Sequence, residues 1–225
     1  MSFKVLFFGN KLCPYSMGAY DFLRRLNLDV KCIWSEKRNE KIPQEAFSWK
    51  GDYIFAFQSY FIIPKEILDN AKISINIHPA SPEYPGSGGP AWAIYDGAKY
   101  YGCTAHVMNE RIDNGEILKV KRFNILDTDN ITSLLSRAKL NAVILFYEMV
   151  EDLFINRKTI DDFLLENKHE KWRGLDRKIH QVNKMRFIDP NIELDEFEKR
   201  IKAFHSENYP LTLTLHNKKF ILNEK

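Results

Sequence analysis

Phe3-Lys4-Val5-Leu6-Phe7-Phe8-Gly9-Asn10 is an apolar run that stops at a glycine and an asparagine. It has the length and composition of a strand buried on both faces and closed by a turn. After Pro14, the stretch from Tyr15 to Leu26 repeats Met17, Tyr20 and Leu23 at helical spacing, and Asp29 to Trp34 reads as a second strand. Strand, helix, strand in that order predicts a βαβ unit and therefore a parallel, doubly wound sheet. The turn after the first strand lacks a GxGxxG pattern, so it carries little sign of a dinucleotide site.

Working outward, residues 52–57, 72–77, 102–108 and 117–123 are the next strand candidates. Helices are expected from Pro64 to about Asn70 and from Pro90 to Tyr95. Residues 35–49 read as a charged surface connection. Asp127-Thr128-Asp129-Asn130 supplies capping residues for the longest helix, whose apolar stripe is Ile131, Leu134, Leu135, Ala138, Ala142, Leu145, Met149 and Leu153. A polar link over 156–176 leads to a smaller part with a helix at 194–204. A hairpin follows, Leu211–Leu215 and Lys219–Leu222, turning at His216-Asn217-Lys218. This organisation divides the chain into residues 1–160, the catalytic domain, and 161–225, a small helix-and-hairpin region.

With 225 residues, 44% apolar and 28% charged, the chain has the balance of a globular protein with a sizeable core. A formal charge of +3 is too small to argue for nucleic acid and suits a small anionic substrate equally well. Cys13, Cys32 and Cys103 are far apart and form no CxxC pair, so neither a disulfide framework nor a zinc site is expected, and no metal. The N-terminal apolar run is too short for a signal peptide, and no segment approaches a bilayer span. The expectation is a soluble, cytoplasmic protein.

The polar chemistry gathers in residues 74–115. Asn76 and His78 are two apart on an extended backbone, so both side chains leave the same face at the carboxyl end of a strand, where open α/β sheets bind ligands. The Pro/Gly/Ser-rich loop from Ser81 to Pro90 follows, and Asp113 sits in a loop after a different strand. A carboxylate beside an imidazole raises its basicity and fixes its tautomer; an amide can donate to an oxyanion. Together they suit acyl transfer. No Ser or Cys forms a GxSxG elbow, so the nucleophile is expected to come from the substrate, for instance an amine. Taken singly, Asn76 is equally a strand-end cap and His78 a surface histidine.

The ordered series Asn76-Ile77-His78-Pro79, the Pro/Gly loop to Gly89-Pro90 with Trp92-Ala93-Ile94 and Gly97, Gly102-Cys103-Thr104, and Ile112-Asp113-Asn114-Gly115-Glu116-Ile117 resembles the core of the folate-dependent formyltransferases over residues 1 to about 150. Cys103-Thr104-Ala105-His106 departs from relatives that often carry Val-Thr and a further histidine, without touching the triad. The resemblance implies a Rossmann-like α/β fold, doubly wound and mostly parallel, and transfer of a formyl group from 10-formyltetrahydrofolate to an amine. His78 would take the amine proton, Asn76 would bind the oxyanion and Asp113 would hold His78. The family's pterin-binding wall corresponds to 58–64, with Ser59, Tyr60, Phe61 and Ile62, and to 109–113, with Asn109, Arg111 and Ile112.

Within that family, the resemblance points away from methionyl-tRNA formyltransferase, which carries a larger C-terminal barrel and a basic surface. It also points away from glycinamide ribonucleotide transformylase, whose Gly-Ser phosphate loop is not matched by Gly9-Asn10-Lys11-Leu12-Cys13-Pro14-Tyr15. The sugar N-formyltransferases remain. They imply a nucleotide-linked amino sugar, such as dTDP-4-amino-4,6-dideoxyglucose, for a surface polysaccharide (O-antigen) as acceptor. Asn10, Lys11, Tyr84 and Gly88 are the expected acceptor contacts, with Trp172, Arg173, Arg177, Lys178 and Lys184 as further candidates for the pyrophosphate and base. The 211–222 hairpin offers a surface for a homodimer. Glycinamide ribonucleotide as acceptor, or a non-catalytic folate- or nucleotide-binding module, are the competing readings.

Overall fold

The computed structural model describes residues 2–223. The opening run forms β1 (Lys4–Asn10), buried from Val5 to Asn10, followed by α1 (Pro14–Arg24) with Pro14 in its first turn and β2 (Asp29–Ser35). The chain continues through α2 (Gln44–Ser48), β3 (Gly51–Phe57), α3 (Lys65–Leu68), β4 (Ala71–His78) and α4 (Gly89–Tyr95). Then come β5 (Tyr100–Val107), β6 (Ile117–Asn124), the long α5 (Ile131–Phe154), α6 (Ile160–Glu166) and α7 (Ile179–Met185). It ends with β7 (Phe187–Ile188), α8 (Leu194–Phe204), β8 (Thr212–Leu215) and β9 (Lys218–Ile221).

The six-stranded sheet runs β2-β1-β3-β4-β5-β6. The pairs β1–β2, β1–β3 and β3–β4 are parallel, whereas β4–β5 and β5–β6 are antiparallel. The chain first steps to one side of β1 and then to the other, so the switch point lies between β1 and β3. A crevice opens there beyond the carboxyl ends of the strands. Ser16 ties its rim together: its hydroxyl accepts from the Asn10 N–H and donates to the Phe57 carbonyl.

One face of the sheet packs on α1 and α5. Phe7, Phe55 and Phe57 meet Phe146 edge-on there, with Leu145, Met149 and Leu153 completing the layer. Burying each such side chain contributes about 1.5–3 kcal/mol. Asn130 caps α5 by accepting from Thr132 and Ser133 N–H, and Ser133 returns a bond to the Asn130 N–H. The opposite face packs Leu6, Phe8, Ile33, Ile54 and Ile67.

Two short helices occupy the stretch read as links. α6 anchors through Phe163, which joins the main cluster, and α2 through Ala46. α7 and α8 bring Val182, Ala203 and Phe204 onto Trp92 and Leu134 in a second cluster. The hairpin is joined by β7 alongside β8, which makes a three-stranded sheet. His216 and Asn217 both have positive φ at its two-residue turn. Among the described residues, no helix is long and apolar enough to cross a membrane.

Candidate active site

β4 ends at His78 and delivers Asn76 and His78 to one face, as strand alternation requires. The antiparallel neighbour β5 adds a residue that sequence reasoning gave no role. His106 is the direct register partner of Asn76, so its ring lies on the same face. Its Nε2 is 3.1 Å from Asn76 Nδ2, and its Nδ1 donates to the Val107 carbonyl at 2.9 Å. With the proton on Nδ1, Nε2 accepts one Asn76 N–H, which orients the amide and leaves the other N–H free.

Asp113 reaches the same point from the β5–β6 loop. It adopts a left-handed φ of 48°, which aspartate tolerates better than most residues. Gly115 then passes so close to β5 that a Cβ would lie 1.7 Å from the Val107 carbonyl oxygen, a position only glycine can hold. Asp113 Oδ1 sits 3.4 Å from His78 Nδ1 and 3.7 Å from His106 Nε2, and Oδ2 accepts from the Gly86 N–H at 3.1 Å. His78 and Asp113 therefore meet directly, and Asn76 joins them through His106, around a carboxylate that is 5% exposed.

Burial dominates the state of His78 and holds its pKa below the ordinary histidine value. Asp113 pulls the other way, and His106 adds to the lowering. Burial alone would raise the Asp113 pKa, but His78, His106 and the Gly86 N–H outweigh it and keep it below the usual carboxylate range. At neutral pH the pair is a carboxylate beside a neutral imidazole. With Nδ1–H turned toward Asp113, the His78 Nε2 lone pair is the basic atom. That atom is buried and has no hydrogen-bond partner among the described residues. Such an arrangement has the chemistry to provide a general base, an amide donor and a buried counter-charge, the set that adding a neutral nucleophile to a carbonyl would use.

The residues of the expected pterin wall surround this centre unevenly. Gln58 closes β3 at φ 55°, with its Nε2 buried and unpaired among the described residues. Ser59 Oγ accepts from Phe61 N–H, Tyr60 lies under the Arg38 guanidinium, and the Phe61 ring packs on Phe8. Ile62 and Ile112 are exposed apolar side chains at 75% and 60%. A cleft of about 480 Å³ beside the Asp113 loop is lined by Lys65, Leu68, Met108, Asn109, Arg111 and Asn114. Asn109 Oδ1 accepts from the Arg111 N–H in the same loop.

Of the expected acceptor contacts, Asn10 is buried, with its side-chain oxygen accepting from Leu12 N–H. Lys11 is ion-paired with Glu36 at 2.7 Å on the surface. Tyr84 is half-buried against Tyr101. Gly88 starts α4 at φ 77°. Arg177 stacks 4.1 Å over Trp92 and reaches Asp96, whereas Lys178 pairs with Asp176. Trp172 stands apart from these, because its ring lies 5.1 Å from His106 and 6.2 Å from His78. Among the described residues, no group of three or more His, Cys, Asp or Glu side chains is placed to hold a metal ion.

A family model described as formyl transferase matches residues 30–150, the span that contains the whole cluster. The chain belongs to the formyl transferase family. The similar curated proteins include the GDP-perosamine N-formyltransferase of Brucella melitensis, 29% identical over 135 residues, covering 59% of this chain and 51% of that protein. Methionyl-tRNA formyltransferase of Buchnera aphidicola is 30% identical over 173 residues, covering 76% of this chain and 53% of that protein. The chain thus spans about half the length of these two curated relatives. Among solved structures, an N-formyltransferase from Helicobacter canadensis, crystallised with folinic acid and dTDP-3-aminofucose, shares the fold. Its TM-score is 0.68 at 16% identity, over 96% of this chain and 85% of that one. In this member of the formyl transferase family, then, the residues read from sequence as a triad lie within the matched region.

Proposed function

We propose that this formyl transferase moves a formyl group from 10-formyltetrahydrofolate to the amine of a nucleotide-linked amino sugar. The observation that carries the reading is the Asn76–His78–Asp113 cluster, half-buried around a buried carboxylate, with His78 Nε2 unpaired among the described residues at the carboxyl edge of the sheet. The acceptor amine attacks the formyl carbon and its proton passes to His78 Nε2. The carbonyl oxygen becomes an oxyanion that takes the free N–H of Asn76. Asp113 stabilises the imidazolium so formed. Collapse of the tetrahedral adduct breaks the bond to folate N10, which leaves with the proton returned by His78, giving the formamide and tetrahydrofolate. The exposed Ile62 and Ile112, the unpaired Gln58 amide and the cleft at Asn109 and Arg111 are consistent with a flat, polar-edged co-substrate beside the cluster.

The relative acting on GDP-perosamine and the neighbour crystallised with dTDP-3-aminofucose support an amino sugar as acceptor. We take dTDP-4-amino-4,6-dideoxyglucose as the first to try, in a cytoplasmic enzyme serving surface polysaccharide synthesis. Residues 1–160 carry the chemistry in this reading, and 161–225 carry the helix-and-hairpin region, whose exposed Phe220 and Ile221 suit a second copy of the chain. Sedimentation velocity tests that dimer.

The longer match to a methionyl-tRNA formyltransferase makes methionyl-tRNA the competing acceptor. Incubation with 10-formyltetrahydrofolate and a panel of dTDP- and GDP-linked amino sugars, glycinamide ribonucleotide and methionyl-tRNA separates the readings. A product 28 Da heavier than an amino sugar nucleotide, the mass added when H is replaced by CHO, is expected. Formylation of the tRNA or the ribonucleotide alone would reverse the acceptor assignment, and no formylation of any acceptor would favour a binding module.

A further inference from the structure

Residues 170–178 form a strap over the catalytic corner. Arg122 begins it, donating from one guanidinium to Glu83 in the Pro/Gly loop and to Glu170. The Arg173 N–H donates to the Pro82 carbonyl, and Gly174, at φ 78°, passes so close that a Cβ would lie 2.5 Å from the Glu83 carbonyl oxygen. Further on, the Ser87 N–H donates to the Arg177 carbonyl where Gly86 and Arg177 form a parallel bridge.

Trp172 is the one strap side chain that reaches the site. Its indole N–H donates to the Gly115 carbonyl at 2.7 Å, two residues beyond Asp113. Its ring stands edge-on to His106, at an interplanar angle of 85°, and tilted at 60° to His78. One side chain therefore grips the end of the Asp113 loop and covers both imidazoles. With its N–H spent on Gly115 and its ring on the histidines, it is poorly placed to serve as a platform for the acceptor's base.

We propose that Trp172 is a positioning residue, pinning the Asp113 loop through Gly115 and sealing the imidazoles of His78 and His106 from water. The role rests on the reading of His78 as the general base. A dry corner keeps the His78–Asp113 interaction strong and His78 Nε2 free to take the amine proton. The titratable groups facing His78 are Asp113 from the β5–β6 loop and His106 from β5. The Tyr84 main chain faces it from the loop after β4, and the strap contributes the uncharged indole. Burial is the largest influence on His78, and it favours the neutral form. Admitting water by removing Trp172 relieves it, so His78 becomes protonated at higher pH than in the intact protein.

The test uses the full chain with ¹³C-labelled histidine. The His78 resonance, assigned with His78→Gln, is titrated in the unmodified protein, Trp172→Phe and Trp172→Ala, with circular dichroism as the fold control. The midpoint is expected to rise in Trp172→Ala, where the dominant burial is relieved, and to fall in Trp172→Phe, which keeps a ring over the imidazoles but loses the Gly115 tether that holds Asp113 beside His78. In turnover, Trp172→Ala is expected to lose about three- to tenfold more kcat at pH 6 than at pH 8.5, because an open corner leaves more His78 protonated at the lower pH. An unchanged His78 midpoint in folded Trp172→Ala, or a rise in the acceptor KM alone, would overturn the proposal. Should Trp172→Ala fail to fold, an unmoved midpoint in Trp172→Phe counts against it in the same way. The resonance arm needs no substrate, so it stands even if no amino sugar is formylated.

Discussion

Asp113→Asn isolates the charge of the cluster from its shape. Asparagine can still accept from the Gly86 N–H, so the loop keeps its anchor while the carboxylate is lost. Asp113 Oδ1 lies 3.4 Å from His78 Nδ1, with its side chain 5% exposed. At an effective dielectric of about 20, a unit charge pair at that separation is worth about 5 kcal/mol. If about half a proton has moved to His78 in the transition state, about 2.5 kcal/mol of stabilisation disappears, or about two orders of magnitude in kcat. The acceptor KM should stay within about threefold, since the carboxylate faces the imidazoles rather than the acceptor. Asp113 is the larger of two influences that raise the His78 pKa, the Tyr84 main chain being the other, so removing it moves the acidic limb of the rate profile downward, opposite to the shift expected for Trp172→Ala. Stopped-flow absorbance of folate at several pH values measures both quantities. A kcat within about threefold of the unmodified protein, or an acidic limb that moves upward, would refute the role given to Asp113.

Three further substitutions probe the frame around the site. Gly86→Ala places a Cβ 2.5 Å from the Arg177 carbonyl oxygen at φ 82°, and should cost about 1–3 kcal/mol, read as a lower Tm by calorimetry. Phe146→Ala empties the junction of Phe7, Phe55 and Phe57 under the sheet and should cost about 3–5 kcal/mol in denaturant unfolding. Lys11→Met breaks a solvent-screened surface pair with Glu36, so the Tm should stay where it is. If Lys11 swings to a pyrophosphate, the acceptor KM should instead rise about tenfold at unchanged kcat, measured by steady-state kinetics.

Much of this architecture is legible in local sequence because local physics dictates it. The run Phe3–Asn10 is too apolar to be anything but a buried strand, and Asn130 with the stripe along α5 marks both the start and the buried face of that helix. Asn76 and His78 could be paired by strand alternation alone. The elements that escaped are two turns or less, each with one fully buried side chain: Phe163 in α6, Val182 in α7 and Ala46 in α2. Elements of that length carry too few apolar positions to establish a period, and tertiary contacts decide such segments. His106 needed the antiparallel β4–β5 register before it could be set opposite Asn76. Trp172 is 59 residues from Asp113 in sequence and meets its loop only because the strap doubles back over the Pro/Gly loop, which no local pattern announces.

The central claim is that His78 Nε2 is the base that activates the acceptor amine. Its most direct measurement is single-turnover formylation of a nucleotide-linked amino sugar by the unmodified protein and by His78→Ala, with product followed by mass and folding by circular dichroism. The account predicts formamide from the unmodified protein and a rate lowered by about 10²–10⁴-fold in a folded His78→Ala. Equal rates in the two proteins would contradict it.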